Sequence, residues 1–196
     1  MTETPPKHQF GMIGLAVMGR NLALNLLDRG VTVAAYNREP EMTEEAVAES
    51  GGRLYGTDSF ETFLASLERP RCIMMMIKAG APVDSVLKQL KPLLEPGDIV
   101  IDGGNSWYED TQRRERDYAA AGLKFFGSGV SGGAEGARNG PSIMPGGDRD
   151  AYQQKIAPFF EAIAAKTVRR ITGAEPLPIG LLRNRYSAVM PLICGV

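Results

Sequence analysis

Histidine, tryptophan, cysteine and net charge are all scarce in this sequence. In 196 residues there are one histidine, one tryptophan and two cysteines, and the formal net charge is only −1. So balanced a chain offers no broad electrostatic field for nucleic acid or for a membrane surface, and neither is expected as a partner. Cys72 and Cys194 have no metal-ligand spacing, and no metal site is expected. So few cysteines also give no sign of an oxidising compartment, so a reduced, cytoplasmic setting is expected. The opening "MTETPPKHQF" lacks the apolar segment of a signal peptide, and no apolar run approaches the length of a membrane span. Internal repeats and low-complexity segments are missing too. What remains is ordinary globular composition, 43% hydrophobic and 23% charged. The length suits one generous domain, or one domain and the start of another, and a domain this long buries roughly 70% of its unfolded surface.

Glycine is the residue in good supply. The 23 glycines gather at Gly11–Gly19, Gly103–Gly104 and Gly127–Gly147, as expected where backbone approaches a ligand closely. The first group ends a short apolar run, "QFGMIGLA", and opens "VMGRNLALNLLDRG". Met18, Leu22, Leu24, Leu26 and Leu27 make the latter a mostly apolar helix, closed by Gly30. "VTVAAY" then reads as a strand. Strand, glycine turn, helix, glycine and strand make a βαβ unit of about thirty residues.

The alternation continues. A helix is expected near 41–50, a strand at 72–77, a helix at 83–94, a strand at 98–102 and a helix reaching about 122. "LKFFGS" is a further strand, and a glycine-rich loop follows it. "PSIMPGG" reads as an edge strand, and "DRDAYQQKIAPFFEAIAA" as a helix capped by an aspartate. Such alternation predicts an α/β fold, a doubly wound and mostly parallel sheet with flanking helices. From Thr167 the sequence changes character, with four arginines, no lysine and one acidic residue, Glu175. Two regions are therefore expected, a dinucleotide-binding domain over 8–166 and a divergent tail over 167–196.

The stretch "GLAVMG", Gly14 to Gly19, has the outline of a dinucleotide-binding turn with Ala16 at the middle glycine. The first glycine permits the bend, the second a close approach to pyrophosphate, and the third close helix packing. Alanine adds one methyl group and removes no donor. The N–H groups of Leu15, Ala16 and Val17 are expected to face the phosphates, aided by the helix dipole. A plain packing turn is the competing reading of the triplet. The second strand ends in "AAYNREP", where an NAD-preferring fold carries an acid. Asn37 and Arg38 stand there instead. A guanidinium forms charge-assisted bonds to a 2′-phosphate, so NADP is the expected cofactor. In the plainer alternative, Arg38 is a solvated residue paired with Glu39.

Five colinear blocks between about residues 8 and 166 resemble the 6-phosphogluconate dehydrogenase family. They are "GLAVMGRNLALNLLDRG", "AAYNR", "MMIKAGAPVD", "IVIDGGNSWYEDTQRR" and "FGSGVSGGAEGARNGPSIMPGG". The resemblance implies a Rossmann-type fold and NADP-dependent oxidative decarboxylation of 6-phosphogluconate. It also implies that Gly14, Leu15, Ala16, Val17, Met18 and Gly19 form the pyrophosphate loop, with Asn37 and Arg38 on the 2′-phosphate. Met76, Ile77, Lys78 and Ala79 would run beside ribose and nicotinamide, although Lys78 alone reads as a surface lysine. Asn105 would sit between cofactor and substrate, its amide able to donate and accept. "DGGNS" is also a good turn-and-cap sequence. Ser131, Gly132 and Gly133 would hold the sugar acid, whereas Glu135 and Arg138 read as structural.

The family's acid and base, a glutamate and a lysine, lie in a motif that this sequence does not match. Its last lysine is Lys166, its last glutamate Glu175, its only histidine His8, and "GLLRNRYSAV" stands where the motif should fall. Arginine stays protonated and cannot serve as the base. No catalytic residue is assigned, and the family's dimerising helical domain is expected to be absent. A frame shift through about 167–185 would account for the tail, and so would a natural or engineered cofactor-domain fragment with an unrelated tail. Two alternatives remain open: a β-hydroxyacid dehydrogenase of the hydroxyisobutyrate type, and a non-catalytic NADP-binding fragment.

Overall fold

The computed structural model describes residues 7–166, so the expectations for the tail lie outside the described residues. Seven strands form one sheet: β1 (Phe10–Ile13), β2 (Val33–Tyr36), β3 (Tyr55–Thr57), β4 (Cys72–Met75), β5 (Ile99–Asp102), β6 (Lys124–Ser131) and β7 (Ser142–Gly146). Their spatial order is β3-β2-β1-β4-β5-β6-β7, with β7 alone antiparallel. The helices are α1 (Val17–Asp28), α2 (Pro40–Glu49), α3 (Phe60–Ala65), α4 (Ala81–Leu90), α5 (Tyr108–Ala119), α6 (Gly133–Asn139), α7 (Arg149–Ala151) and α8 (Ala157–Ile163).

Alternation along the central strands produces the two faces. Phe10 and Met12 of β1, Cys72 and Met74 of β4, and Ile99 and Ile101 of β5 pack with α1 and α8 in one cluster. Their neighbours Ile13, Ile73, Met75 and Val100 join residues of α3 and α4 in a second. A parallel sheet covered on both faces needs such unbroken apolar strands. α1 is apolar nearly all round because α6 and α8 lie on its outer side. Its one buried polar residue, Asn25, donates to the carbonyls of Ala137 at 3.0 Å and Ile163 at 3.4 Å. The amide thus pins three helices together at a point where an unpaired polar group would be costly.

The expected strands and most of the helices are present, including the Asp148 cap, whose side chain accepts from Ala151 N at 2.8 Å. Gly30 follows α1 with φ +82°, as its capping role requires. Three elements go beyond the sequence reading. β3 has three residues and α3 six, too short for periodicity to mark either. The glycine-rich stretch after "LKFFGS" is largely ordered structure: β6 runs on to Ser131, and Gly133–Asn139 forms α6. That helix packs on α1, so burial of Ala137 overrides the flexibility its glycines suggest.

Candidate functional site

Between β1 and β4 the direction of winding reverses, and in open α/β sheets ligands bind at the carboxyl ends of strands beside such a point. Three loops meet there. Gly14, after β1, has φ +92°, a conformation that side chains rarely adopt, and its N–H donates to Tyr36 O at 3.0 Å. A Cβ on Gly14 would stand 2.5 Å from Met76 O, and one on Gly19 only 1.9 Å from Gly14 O. Both glycines are therefore obligatory: the first presses the turn against the β4 loop, the third lets α1 close onto the turn. Ala16 needs no such freedom. It caps α1 with φ −63°, which alanine adopts without strain, and it is exposed.

The start of α1 fits a pyrophosphate. Its N-cap residue makes no side-chain hydrogen bond, and its first turn carries no acidic residue. The N–H groups of a first helical turn have no partner within the helix, and the dipole makes that end positive. Leu15 departs from expectation. Its N–H donates to Asn37 Oδ1 at 2.9 Å and its side chain is fully buried, so that donor serves the protein rather than a phosphate. Asn37, itself buried, is correspondingly a brace beneath the turn. Arg38 is 88% exposed and ion-paired with Glu39, the contact foreseen by the plainer reading. The Arg38 guanidinium, through its hydrogen bonds, holds the Glu39 carboxyl below the usual carboxylate range.

The second loop follows β4. Met76 N donates to Ile13 O at 2.8 Å, which fixes the entry to Ile77, Lys78 and Ala79. Lys78 is exposed, and Met76, Ile77 and Ala79 are half-buried. The third loop follows β5. A Cβ on Gly104 would lie 2.8 Å from Ile77 O, so these two loops also touch. Asp102 shapes the turn, accepting from Gly104 N at 3.0 Å and from Ser106 Oγ at 2.6 Å, and Asn105 is left exposed between them. The turn reading of "DGGNS" therefore holds, and it is what presents Asn105.

One residue that sequence reasoning missed joins the second and third loops. Arg114 of α5 is 2% exposed. Its Nη1 donates to Asp102 Oδ2 at 3.2 Å and to Ser106 Oγ at 3.1 Å. Its Nη2 donates to Gly80 O at 3.2 Å, and its Nε to Asp84 Oδ1 at 2.9 Å. The Asp84 carboxyl sits below its ordinary range chiefly through Arg114. In "DTQRRERD" nothing distinguishes this arginine from its solvated neighbours; only its place four residues before the buried aromatic Tyr118 hinted at an inward face.

Ser131, Gly132 and Gly133 lie at the far end of β6 and are exposed. Ser131 is four residues past Gly127, the register partner of Asp102, and so projects about 13 Å beyond it along the strand. Gly132 and Gly133 both have positive φ and turn the chain into α6. Arg138 pairs with Asp28, in keeping with a structural role. Among the described residues no cluster of three or more histidine, cysteine or acidic side chains could hold a metal, and no helix is long and apolar enough to cross a membrane.

Known proteins share this arrangement. The family model for the NAD binding domain of 6-phosphogluconate dehydrogenase matches residues 9–173. The decarboxylating 6-phosphogluconate dehydrogenase of Synechococcus elongatus is 56% identical over 160 residues, 81% of this chain and 34% of the relative. A 6-phosphogluconate dehydrogenase from Plasmodium falciparum, studied with its cofactor NADP+ and with 6-phosphogluconate, superimposes with a TM-score of 0.76 at 39% identity, over 80% of this chain and 34% of that one. The 3-hydroxyisobutyrate dehydrogenase of Mycobacterium tuberculosis shares the fold, with a TM-score of 0.71 at 22% identity over 81% of this chain and 52% of that one. The chain thus spans about a third of the length of the curated relatives it matches.

Proposed function

The chain belongs to the 6-phosphogluconate dehydrogenase family, and from that premise we propose that it binds NADP and supplies the coenzyme domain for oxidative decarboxylation of 6-phosphogluconate. The observation that carries the proposal is the meeting of three loops at the switch point, beside an α1 terminus free of acidic and capping side chains. The N–H groups of Ala16, Val17 and Met18 would take the pyrophosphate, with Gly14 and Gly19 holding the turn in shape and Leu15 anchoring it to Asn37. Arg38 would meet the adenosine 2′-phosphate, and Met76, Ile77, Lys78 and Ala79 the ribose and nicotinamide. When bound, NADP supplies a hydride acceptor.

Asn105 would serve both ligands, because its amide can accept from a sugar hydroxyl and donate to a neighbouring oxygen. Ser131 would give a hydroxyl, and Gly132 and Gly133 backbone N–H groups, to the sugar acid. The matched blocks do not include the lysine and glutamate motif that serves the family as base and acid, so we assign these residues binding and orientation rather than proton transfer. The small number of cysteines suits a reaction in the reducing cytoplasm.

Hydrogen exchange on the full chain with and without NADP tests the assignment. Slowed exchange is expected in 14–19 and 76–79; exchange unchanged there under saturating NADP would remove these loops from the site. The hydroxyisobutyrate alternative would instead require turnover of a short hydroxy acid with NAD.

A further inference from the structure

Strand β2 is followed by three residues that have closed on one another. Asn37 and Arg38, the side chains matched to the 2′-phosphate, are both engaged by the carboxylate of Glu39. Arg38 Nε donates to Glu39 Oε1 at 2.9 Å, and Arg38 Nη2 donates to the same oxygen. Asn37 Nδ2 donates to Glu39 Oε2 at 3.0 Å and to Glu39 O at 3.2 Å, while Asn37 Oδ1 is held by Leu15 N. Arg38 thus stands as a neutralised pair, and Glu41 adds a negative charge in the first turn of α2.

Among the described residues the only side chains that donate to the Glu39 carboxylate are those of Asn37 and Arg38. Glu39 occupies the N-cap of α2, yet its side chain makes no capping hydrogen bond, and it is 46% exposed. For a ligand the consequences are opposite at the two coenzymes. A phosphate monoester carries about −1.5 to −2 charges near neutrality. To reach Arg38 it must displace the Glu39 carboxylate, which stays tethered one residue away and repels it. A ribose 2′-hydroxyl instead donates a hydrogen bond to a carboxylate. Glu39 stands immediately after Asn37 and Arg38, which hold the position where NAD-using folds place the acid that binds that hydroxyl.

We propose that Glu39 sets coenzyme selectivity in this chain: it competes with the 2′-phosphate for Arg38 and offers its carboxylate to the 2′-hydroxyl, so the site takes NAD beside NADP. The proposal rests on the dinucleotide-binding reading above.

Calorimetric titration of the full chain with NADP and with NAD at one fixed ionic strength tests it, on the wild type, Glu39→Gln and Glu39→Thr. Wild-type affinities for the two coenzymes are expected to agree within about tenfold, since the like charge offsets part of the arginine's attraction. Both variants are expected to bind NADP about tenfold more tightly, with NAD unchanged or weaker. Both should fold, because the side chain is half in solvent; far-UV circular dichroism checks this. If the wild type strongly prefers NADP and the variants change nothing, the proposal fails while the NADP reading stands. Equal weakening of both coenzymes would make Glu39 only a brace for Asn37 and would also overturn it. Failure of every form to bind either dinucleotide would remove the binding reading and the proposal together.

Discussion

Arg114 provides the sharpest quantitative consequence of the fold. Replacing it by methionine keeps most of the side-chain volume and deletes four hydrogen bonds, to Asp84, Asp102, Ser106 and the Gly80 carbonyl. Asp102 is 1% exposed, so the substitution leaves a buried carboxylate without its cation. Breaking a buried pair from one side costs about 3–5 kcal/mol. Asp102 would keep the Gly104 N–H and the Ser106 hydroxyl, which places Arg114→Met near the lower end, about 3 kcal/mol. At about 2–4 °C per kcal/mol for a domain of this size, the thermal midpoint should fall by about 6–12 °C. Urea unfolding followed by the fluorescence of Trp107, the single tryptophan, would measure the first, and a thermal scan followed by circular dichroism the second. The double variant Arg114→Met/Asp102→Asn removes the stranded charge and should recover about 1–2 kcal/mol. A single-variant loss below about 1 kcal/mol, or a double variant worse than the sum of its parts, would refute the reasoning.

Three further outcomes follow from the same contacts. Gly19→Ala, whose Cβ would stand 1.9 Å from Gly14 O, should abolish NADP binding in a titration and lower the thermal midpoint; tolerance of the methyl would mean the turn is not held as described. Asn37→Ala strands the buried Leu15 N–H at a cost of about 1–3 kcal/mol and should weaken NAD and NADP alike, whereas Arg38→Ala should weaken NADP alone. His8 is buried against Tyr55, its ring nitrogens have no hydrogen-bond partner among the described residues, and burial, outweighing Glu68, holds its pKa below the ordinary 6.5. The unfolded chain therefore binds more protons as pH falls below 6.5, and stability should decline from about pH 7 toward pH 5. The depressed carboxyls of Asp28, Asp84 and Asp148 lose their contribution only at lower pH, below their ordinary 3.8. Unfolding midpoints for His8→Phe should lose the slope between about pH 5 and 7; an unchanged slope would assign it elsewhere.

Much of the fold could be read from the sequence because its strands are buried on both faces and announce themselves as apolar runs such as "CIMMMI". β3 and α3 escaped because three and six residues are too few for a period to repeat. "SGGAEGARNG" misled because glycine signals flexibility locally, while the packing of α6 on α1 is decided by residues far off in the chain. At the site, Gly14 and Gly19 were legible since a sterically forced turn leaves glycine as its mark. The use of Leu15 N–H by Asn37 was not, because side-chain to backbone pairing across 22 residues carries no local signature. Arg114 was hidden for a related reason: an ionised residue reads as surface until its buried partners are placed around it.

The central claim is that the turn at Gly14–Gly19, with the loops after β4 and β5, forms a dinucleotide site. Calorimetric titration of the 196-residue chain with NADP addresses it directly. One equivalent should bind saturably, and 2′,5′-ADP should compete for it. The absence of saturable binding up to about 1 mM, from protein shown to be folded, would contradict the account.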